Sequence, residues 1–275
     1  MIDTAHRQLT AVVFDWAGTV LDFGSFAPMG AFVRLFANHG VELGIAQARG
    51  PMGLPKWDHI QALTRLPAVA AQWVARHGRV PTDADVDALY AEFTPMNAAS
   101  VRDHATLIDG VVPVVQALRA RGLRIGSTTG YNRAIMDAVL PLAAAQGYRP
   151  DNLVCADDTP VGRPTPVGMY RCLADLGVWP PRTVVKVDDT EPGIAEGAAA
   201  GCWCIGVVAS GNGVGLEAAQ WAALPEAHKA AHRERVGAAL SAAGAHVLID
   251  TVAELLPAID VVASRLHAGE RPPAA

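Results

Sequence analysis

Apolar, β-branched residues gather in short runs along the chain, and the stretches between them place apolar positions at helical spacing. The first run, Leu9–Asp15, is rich in valine and ends on a carboxylate. Its length and composition predict a buried strand. Leu123–Ser127, Thr183–Val187 and Cys202–Val208 follow the same pattern, and His246–Asp250 follows it more weakly. Three of them lead into Thr128-Thr129-Gly130, Asp188-Asp189-Thr190 and Ala209-Ser210-Gly211. Helices are predicted over Val111–Arg121, Arg133–Ala145, Pro166–Leu176 and Pro192–Ala200, and Thr251 with Glu254 has the spacing of a capping box for a last helix. Strands alternating with helices of this length predict parallel β-α-β units, hence an α/β fold with a doubly wound, mainly parallel sheet.

The stretch from Phe23 to Val101 breaks that alternation, because it contains no convincing strand. Helices are predicted at Pro28–Asn38 (closed by Gly40), Lys56–Arg65, Ala68–His77 (closed by Gly78) and Asp83–Phe93. For the last of these, Thr82 supplies the N-cap and Pro95 follows the end. A helical block placed just after the first strand predicts an all-helical cap domain, residues 23–101. It would be inserted into an α/β core formed by residues 1–22 and 102–275. A short Pro/Ala tail closes the chain at Arg271–Ala275.

The 275 residues suffice for one large domain or two moderate ones, and 51% of them are hydrophobic. A formal charge of −5 gives no basic surface for nucleic acid. No apolar run approaches the ~18 residues of a membrane span. The N-terminus lacks the layout of a secretory signal, so a cytoplasmic protein is expected. The four cysteines, Cys155, Cys172, Cys202 and Cys204, form no C-x-x-C pair and are expected as reduced, buried thiols. Cations are almost all arginine, so the three lysines, Lys56, Lys186 and Lys229, stand out.

Ligands of open α/β sheets bind beyond the carboxyl ends of the strands. Four of those ends carry Asp15, Thr129, Asp189 and Ser210. Two carboxylates meeting there suit Mg²⁺, which commonly takes one or two of them together with substrate phosphate oxygens. A strand-end aspartate beside such an ion can also attack phosphorus. Thr129 can hydrogen-bond a phosphoryl oxygen, and Arg163, in Gly162-Arg163-Pro164, can contact it in bidentate fashion. Taken singly, each such Asp equally suits a helix N-cap or a turn; the set in this order argues for a site.

In order along the chain, Val12-Val13-Phe14-Asp15-Trp16-Ala17-Gly18-Thr19, Ser127-Thr128-Thr129-Gly130, Gly162-Arg163-Pro164 and Val187-Asp188-Asp189-Thr190 resemble the motifs of the haloacid dehalogenase superfamily. More narrowly, Phe26-Ala27-Pro28, Pro51-Met52-Gly53 with Lys56 and His59, and Gly126-Ser127-Thr128-Thr129-Gly130-Tyr131 are similar to the phosphonoacetaldehyde hydrolase (phosphonatase) family. The likeness covers nearly the whole chain, and its cap motif is the more specific part. It implies hydrolysis of a carbon–phosphorus bond, with Asp15 as nucleophile and Lys56 as a Schiff-base amine. It also implies Mg²⁺ held by Asp15, the Ala17 carbonyl and Asp189, and a homodimer, in which the apolar stripe Met29, Phe32, Val33 and Phe36 is one candidate interface.

Phosphatases of that superfamily usually carry an acid two positions after the nucleophile, where this chain has Ala17. A missing general acid typically costs on the order of 10²–10⁴-fold in rate. Breaking P–C instead requires an electron sink for a carbanion, and an iminium on Lys56 supplies one. To attack a carbonyl, Lys56 must lose a proton, which burial under a cap would favour against its ordinary pKa of ~10.4. His59, three residues on, shares its helical face and is a candidate proton shuttle; alone, it equally suits a structural role. Met52 and Tyr131 are candidates for lining the substrate pocket. Gly193 stands where relatives often place a further Asp, and Asp188 stands where Gly is common; this casts Asp188 as the group that orients the ion's waters. The rival readings are a phosphomonoesterase or mutase, which Ala17 opposes, and a catalytically silent binding protein, which the full residue set opposes. A dinucleotide-binding enzyme is weaker still, since no G-x-G-x-x-G opens a helix after the first strand.

Overall fold

Valine-rich runs become five strands: β1 (Ala11–Phe14), β2 (Arg124–Ser127), β3 (Val184–Asp188), β4 (Trp203–Val207) and β5 (Val247–Ile249). The computed structural model describes residues 8–273. Residues 1–7 of the expected core domain and the last two of the Pro/Ala tail lie outside the described residues. All pairings are parallel, in the order β2-β1-β3-β4-β5. In β1, alternate residues serve opposite faces of the sheet. Val12 and Phe14 join a large core shared with the cap helices, whereas Ala11 and Val13 pack with Met169, Cys172 and Leu176.

From β1 the chain next builds β2 on one side and later returns to place β3 on the other. The crevice at the carboxyl ends of β1 and β3 is therefore the topological switch point, where α/β sheets bind ligands. Helices α6 (Val111–Ala120), α7 (Arg133–Ala145), α8 (Val167–Leu176), α9 (Glu191–Ala199) and α12 (Leu255–His267) accompany the sheet, within about one residue of the predicted bounds where bounds were predicted.

Five helices lie between β1 and β2: α1 (Ala27–Asn38), α2 (Ile45–Arg49), α3 (Lys56–Thr64), α4 (Pro67–His77) and α5 (Asp83–Ser100). Three details differ from expectation. Helix α5 continues through Pro95 to Ser100, because its buried face (Val86, Leu89, Phe93, Asn97) stays packed and offsets the one backbone donor that proline lacks. Short α2 was not anticipated, nor were α10 (Ala218–Ala223) and α11 (Glu226–Ala242). Helix α11 carries only Val236, Gly237 and Leu240 as buried residues, so its apolar signal is faint. Thr251 does cap the last helical segment by accepting from Ala253 N, but Glu254 accepts from Asp250 N rather than closing the box on Thr251.

Met29, Phe32 and Phe36 of the α1 stripe are buried within the chain, whereas Val33 is only partly buried. Among the described residues no helix is long and apolar enough to cross a membrane, and the four cysteines are unpaired and buried.

Candidate active site

The parallel pairing of β1 with β3 sets Asp15 beside Asp188 and Asp189, with Asp15 N–H donating to Val187 O at 3.0 Å. One carboxylate oxygen from each of the three aspartates lies within 4.8 Å of the others, and all three are buried. Gly18 makes the close approach possible: its φ is +86°, and a Cβ there would fall 2.4 Å from Asp189 Oδ2. Asp189 is held by Thr19 Oγ1 (3.1 Å) and Asn212 N–H (2.7 Å), while Ser210 Oγ donates to Gly18 O at 2.7 Å.

Asp188 accepts from Thr190 N (3.0 Å) and Thr190 Oγ1 (2.8 Å). Its carboxylate fills the space that a side chain at Gly193 would need, because a Cβ at 193 would meet Asp188 Oδ2 at 2.0 Å. The acid at 188, as it is placed, thus requires glycine at 193.

Arg163 binds this cluster from the other side. It donates to Asp15 Oδ1 (2.8 Å), Glu196 Oε2 (3.0 Å), and Thr128 O and Oγ1 (2.8 and 2.9 Å). Lys186 Nζ donates to Thr128 Oγ1 (2.7 Å) and lies 3.1 Å from Asp188 Oδ2. Burial, together with the charge of Asp188, raises the Asp15 carboxyl to about 6 despite Arg163 and Lys186. Burial pushes Asp188 up too, but Lys186 and Arg163 hold it below its ordinary value. Asp189 is driven well above its ordinary range by burial and by Asp15 and Asp188, and among the described residues it forms no salt bridge.

The cap contributes the loop 51–55 and the start of α3. Gly53 (φ +92°) and Pro55 press directly onto the core: a Cβ on Gly53 would fall 2.4 Å from Thr190 Oγ1, and one on Gly162 would fall 2.2 Å from Pro55 Cγ. What remains is a cavity of about 20 Å³ walled by Asp15, Ala17, Met52, Lys56, Thr129, Tyr131 and Arg163, with Ser25 and Thr190 also on its surface. A second cavity, of about 550 Å³, lies by Asp22, Phe26, His104 and Glu217 and touches none of these groups.

Lys56 is buried, with Nζ 3.7 Å from Met52 Sδ, 5.1 Å from the centre of the Tyr131 ring and 5.9 Å from that of Phe32. Burial lowers its pKa to about 8, against the pull of Asp15.

His59 is not on the cavity wall. Its Nε2 is 2.8 Å from Ala48 O, its ring stacks on Phe32 at 4.1 Å, and burial holds its pKa well below the ordinary value. The expected proton shuttle therefore packs on Phe32 and the Ala48 carbonyl rather than on the cavity wall. Sequence reasoning also left Glu196, Lys186, Thr128 and Ser25 unassigned. Only Lys186 had a signal, as one of three lysines in an arginine-rich chain.

Three enclosed carboxylates, one of them without a cationic partner, fit a hard divalent ion. Asp15 and Asp189 with the Ala17 carbonyl would hold it, and it would supply charge neutralisation for an incoming phosphoryl group.

Comparison with known proteins follows this geometry. The profile of the haloacid dehalogenase-like hydrolases matches residues 9–201. The phosphonoacetaldehyde hydrolase of Paraburkholderia phytofirmans is 49% identical over 97% of this chain and 100% of its own length. That of Bordetella pertussis is 47% identical over 98% of each. A crystal structure of a phosphonoacetaldehyde hydrolase-like protein from Oleispira antarctica superposes with a TM-score of 0.94, at 40% identity and 96% coverage of both chains. A β-phosphoglucomutase from Clostridium difficile shares the fold at a TM-score of 0.69 and 13% identity, covering 94% of this chain and 98% of its own.

Proposed function

The chain belongs to the haloacid dehalogenase-like hydrolases, within their phosphonoacetaldehyde hydrolase group, and from that footing we propose that it hydrolyses the carbon–phosphorus bond of phosphonoacetaldehyde to acetaldehyde and phosphate. One observation carries the reading: a buried lysine amine with a lowered pKa shares a small cavity with Asp15 and Arg163, while Ala17 fills the place of a carboxylic acid.

On this reading Arg163 and Thr129 bind the phosphonyl oxygens; Mg²⁺, which Asp15, Asp189 and the Ala17 carbonyl would hold, would supply further charge neutralisation there. Lys56 Nζ adds to the aldehyde carbon and expels water, leaving an iminium. Asp15 attacks phosphorus, and the electrons of the P–C bond pass into the iminium to give an enamine. Water then releases phosphate from Asp15, and acetaldehyde from Lys56. Glu196 and Thr128 fix the guanidinium plane of Arg163 so that it faces Asp15. Asp188, filling the space beside Gly193, would stand behind the residues that hold the ion and help to orient them. Met52 and Tyr131 enclose the amine, and His59 packs against Phe32.

A cavity of about 20 Å³ holds a water but not the substrate, so loop 51–55 must lift for entry and reseat for reaction. Residues 23–101 act as that moving cap. We assign the enzyme to the cytoplasm, as a homodimer. The test is acetaldehyde and phosphate release from phosphonoacetaldehyde with and without Mg²⁺. Metal-dependent release of both is expected. Phosphate release from sugar phosphates, with none from the phosphonate, would overturn the reading.

A further inference from the structure

Arg49 is the last residue of α2 and lies just ahead of loop 51–55. Its side chain leaves the cap. Nη1 donates to Asn212 Oδ1 in the core at 3.0 Å, and to Gly24 O and Ser25 O on the linker from β1 to α1 at 2.7 and 3.4 Å. Asn212 Nδ2 donates back to Arg49 O at 3.3 Å. The same carbonyl accepts from Met52 N–H at 3.1 Å. The turn that carries Met52 to Lys56 is thus tied to a core side chain through one oxygen atom.

The core is shaped to admit this guanidinium. Gly215 has a φ of +65°, and a Cβ there would fall 2.8 Å from Arg49 Cζ. The guanidinium also lies over the Phe26 ring, 4.9 Å from its centre. Among the described residues Arg49 has no carboxylate partner, and its Nη2 is buried without a hydrogen bond. A cation placed only to stabilise the fold would gain more from a carboxylate. Neutral carbonyl and amide partners suit a contact that is made and broken, because parting a buried ion pair strands a charge.

Asn212 reaches the acid cluster as well. Its N–H donates to Asp189 Oδ2 at 2.7 Å, and Gly211 packs so closely on Asp189 that a Cβ there would fall 2.6 Å from Asp189 Cβ. An unbroken series of contacts therefore runs from Met52 N–H through Arg49 and Asn212 to Asp189, from the cap loop to a carboxylate that would hold the ion.

Resting on the reading that loop 51–55 lifts and reseats, we propose that Arg49 is a positioning residue: it latches that loop shut by gripping Asn212, and the same grip sets Asp189 for the ion. Coupling of this kind is reciprocal, so a bound ion favours the shut loop as much as the shut loop favours the ion.

The three lysines provide the readout. Wild type, Arg49→Gln, Asn212→Ala and the double variant are treated as full chains with formaldehyde and cyanoborohydride at pH 9, with and without Mg²⁺, and methylation is followed by peptide mass spectrometry. Lys56 reports opening of the loop, Lys186 reports unfolding of the core, and Lys229 calibrates the reagent. Each single variant should label Lys56 at least tenfold faster than the wild type while Lys186 stays protected. Mg²⁺ should slow Lys56 labelling in the wild type and lose most of that effect in the variants, and calorimetry should show Mg²⁺ bound at least fivefold more weakly. The double variant should add little to either single one, since the two residues form one grip. Wild-type labelling of Lys56 in Arg49→Gln overturns the latch, and unchanged Mg²⁺ affinity overturns the link to Asp189. Should Arg49→Gln unmask Lys186 too, Asn212→Ala, which leaves Arg49 on Phe26, decides by the same criteria. If Lys56 of the wild type outpaces Lys229, the loop is not shut in solution; the lifting-loop reading then falls and takes the latch with it, and that is seen before any variant is made.

Discussion

Burial of Lys56 has a consequence that can be worked out numerically. Lowering the amine from its ordinary 10.5 to about 8 raises its neutral fraction at pH 7 from roughly 0.03% to roughly 10%, a gain of about 300-fold. The sign follows from the neutral amine being the nucleophile. Reactivity should fall about tenfold per pH unit below pH 8 and level off above it. Reductive methylation with formaldehyde and cyanoborohydride between pH 6 and 10, read by peptide mass spectrometry, measures this directly. The chain suits the experiment because it has only three lysines. Lys186 is sealed in the sheet and Lys229 lies toward the surface, bonded to Ala222 O, so Lys229 serves as the internal standard. Access to Lys56 depends on cap opening, which scales the rate but not its midpoint. Lys56→Arg, whose guanidinium stays protonated, should give no adduct there while retaining its fold. A midpoint at or above pH 10 would refute the claim that desolvation activates this amine.

Two further outcomes follow from packing. Gly193→Ala should displace the Asp188 carboxylate, which lies 2.0 Å from the new Cβ position, and weaken Mg²⁺ binding by at least tenfold in calorimetry; Asp188→Gly combined with Gly193→Asp should recover most of it, and failure of the pair to do so would show that the two positions are not exchangeable. Phe93→Ala removes a fully buried ring stacked on Phe32 at 4.3 Å and should cost about 3–5 kcal/mol in denaturant unfolding, with a loss under 1 kcal/mol contradicting the packing described.

The sequence by itself determined the layer order and the acid positions. Strands buried on both faces require continuous runs of branched residues, and Leu9–Asp15 and Thr183–Val187 are such runs, although their adjacency came only with the fold. The absence of any such run between Phe23 and Val101 marked the helical insertion equally well. Local chemistry was legible wherever residue type and strand end coincide, as at Asp15, Thr129 and Asp189. Where the local signal competed with tertiary packing it misled: Pro95 suggested a helix end that the buried face of α5 overrides, and α11 showed too few apolar positions to be noticed.

Only the tertiary structure decided what touches what. Helical spacing put His59 on the face of Lys56, but not against the Phe32 ring and the Ala48 carbonyl, because the fold rather than the spacing decides what each side chain meets. Glu196 and Lys186 sit on different elements and meet Arg163 and Thr128 only through the packing of α9 on the sheet. The exchange of acid and glycine between 188 and 193 was visible as two oddities in one loop. That they occupy one volume is a statement about space, which a linear pattern does not contain. Ser25 shows the limit most plainly: an unremarkable serine in the sequence becomes a strained, unpartnered hydroxyl once β1, α1 and the cap loop close around it.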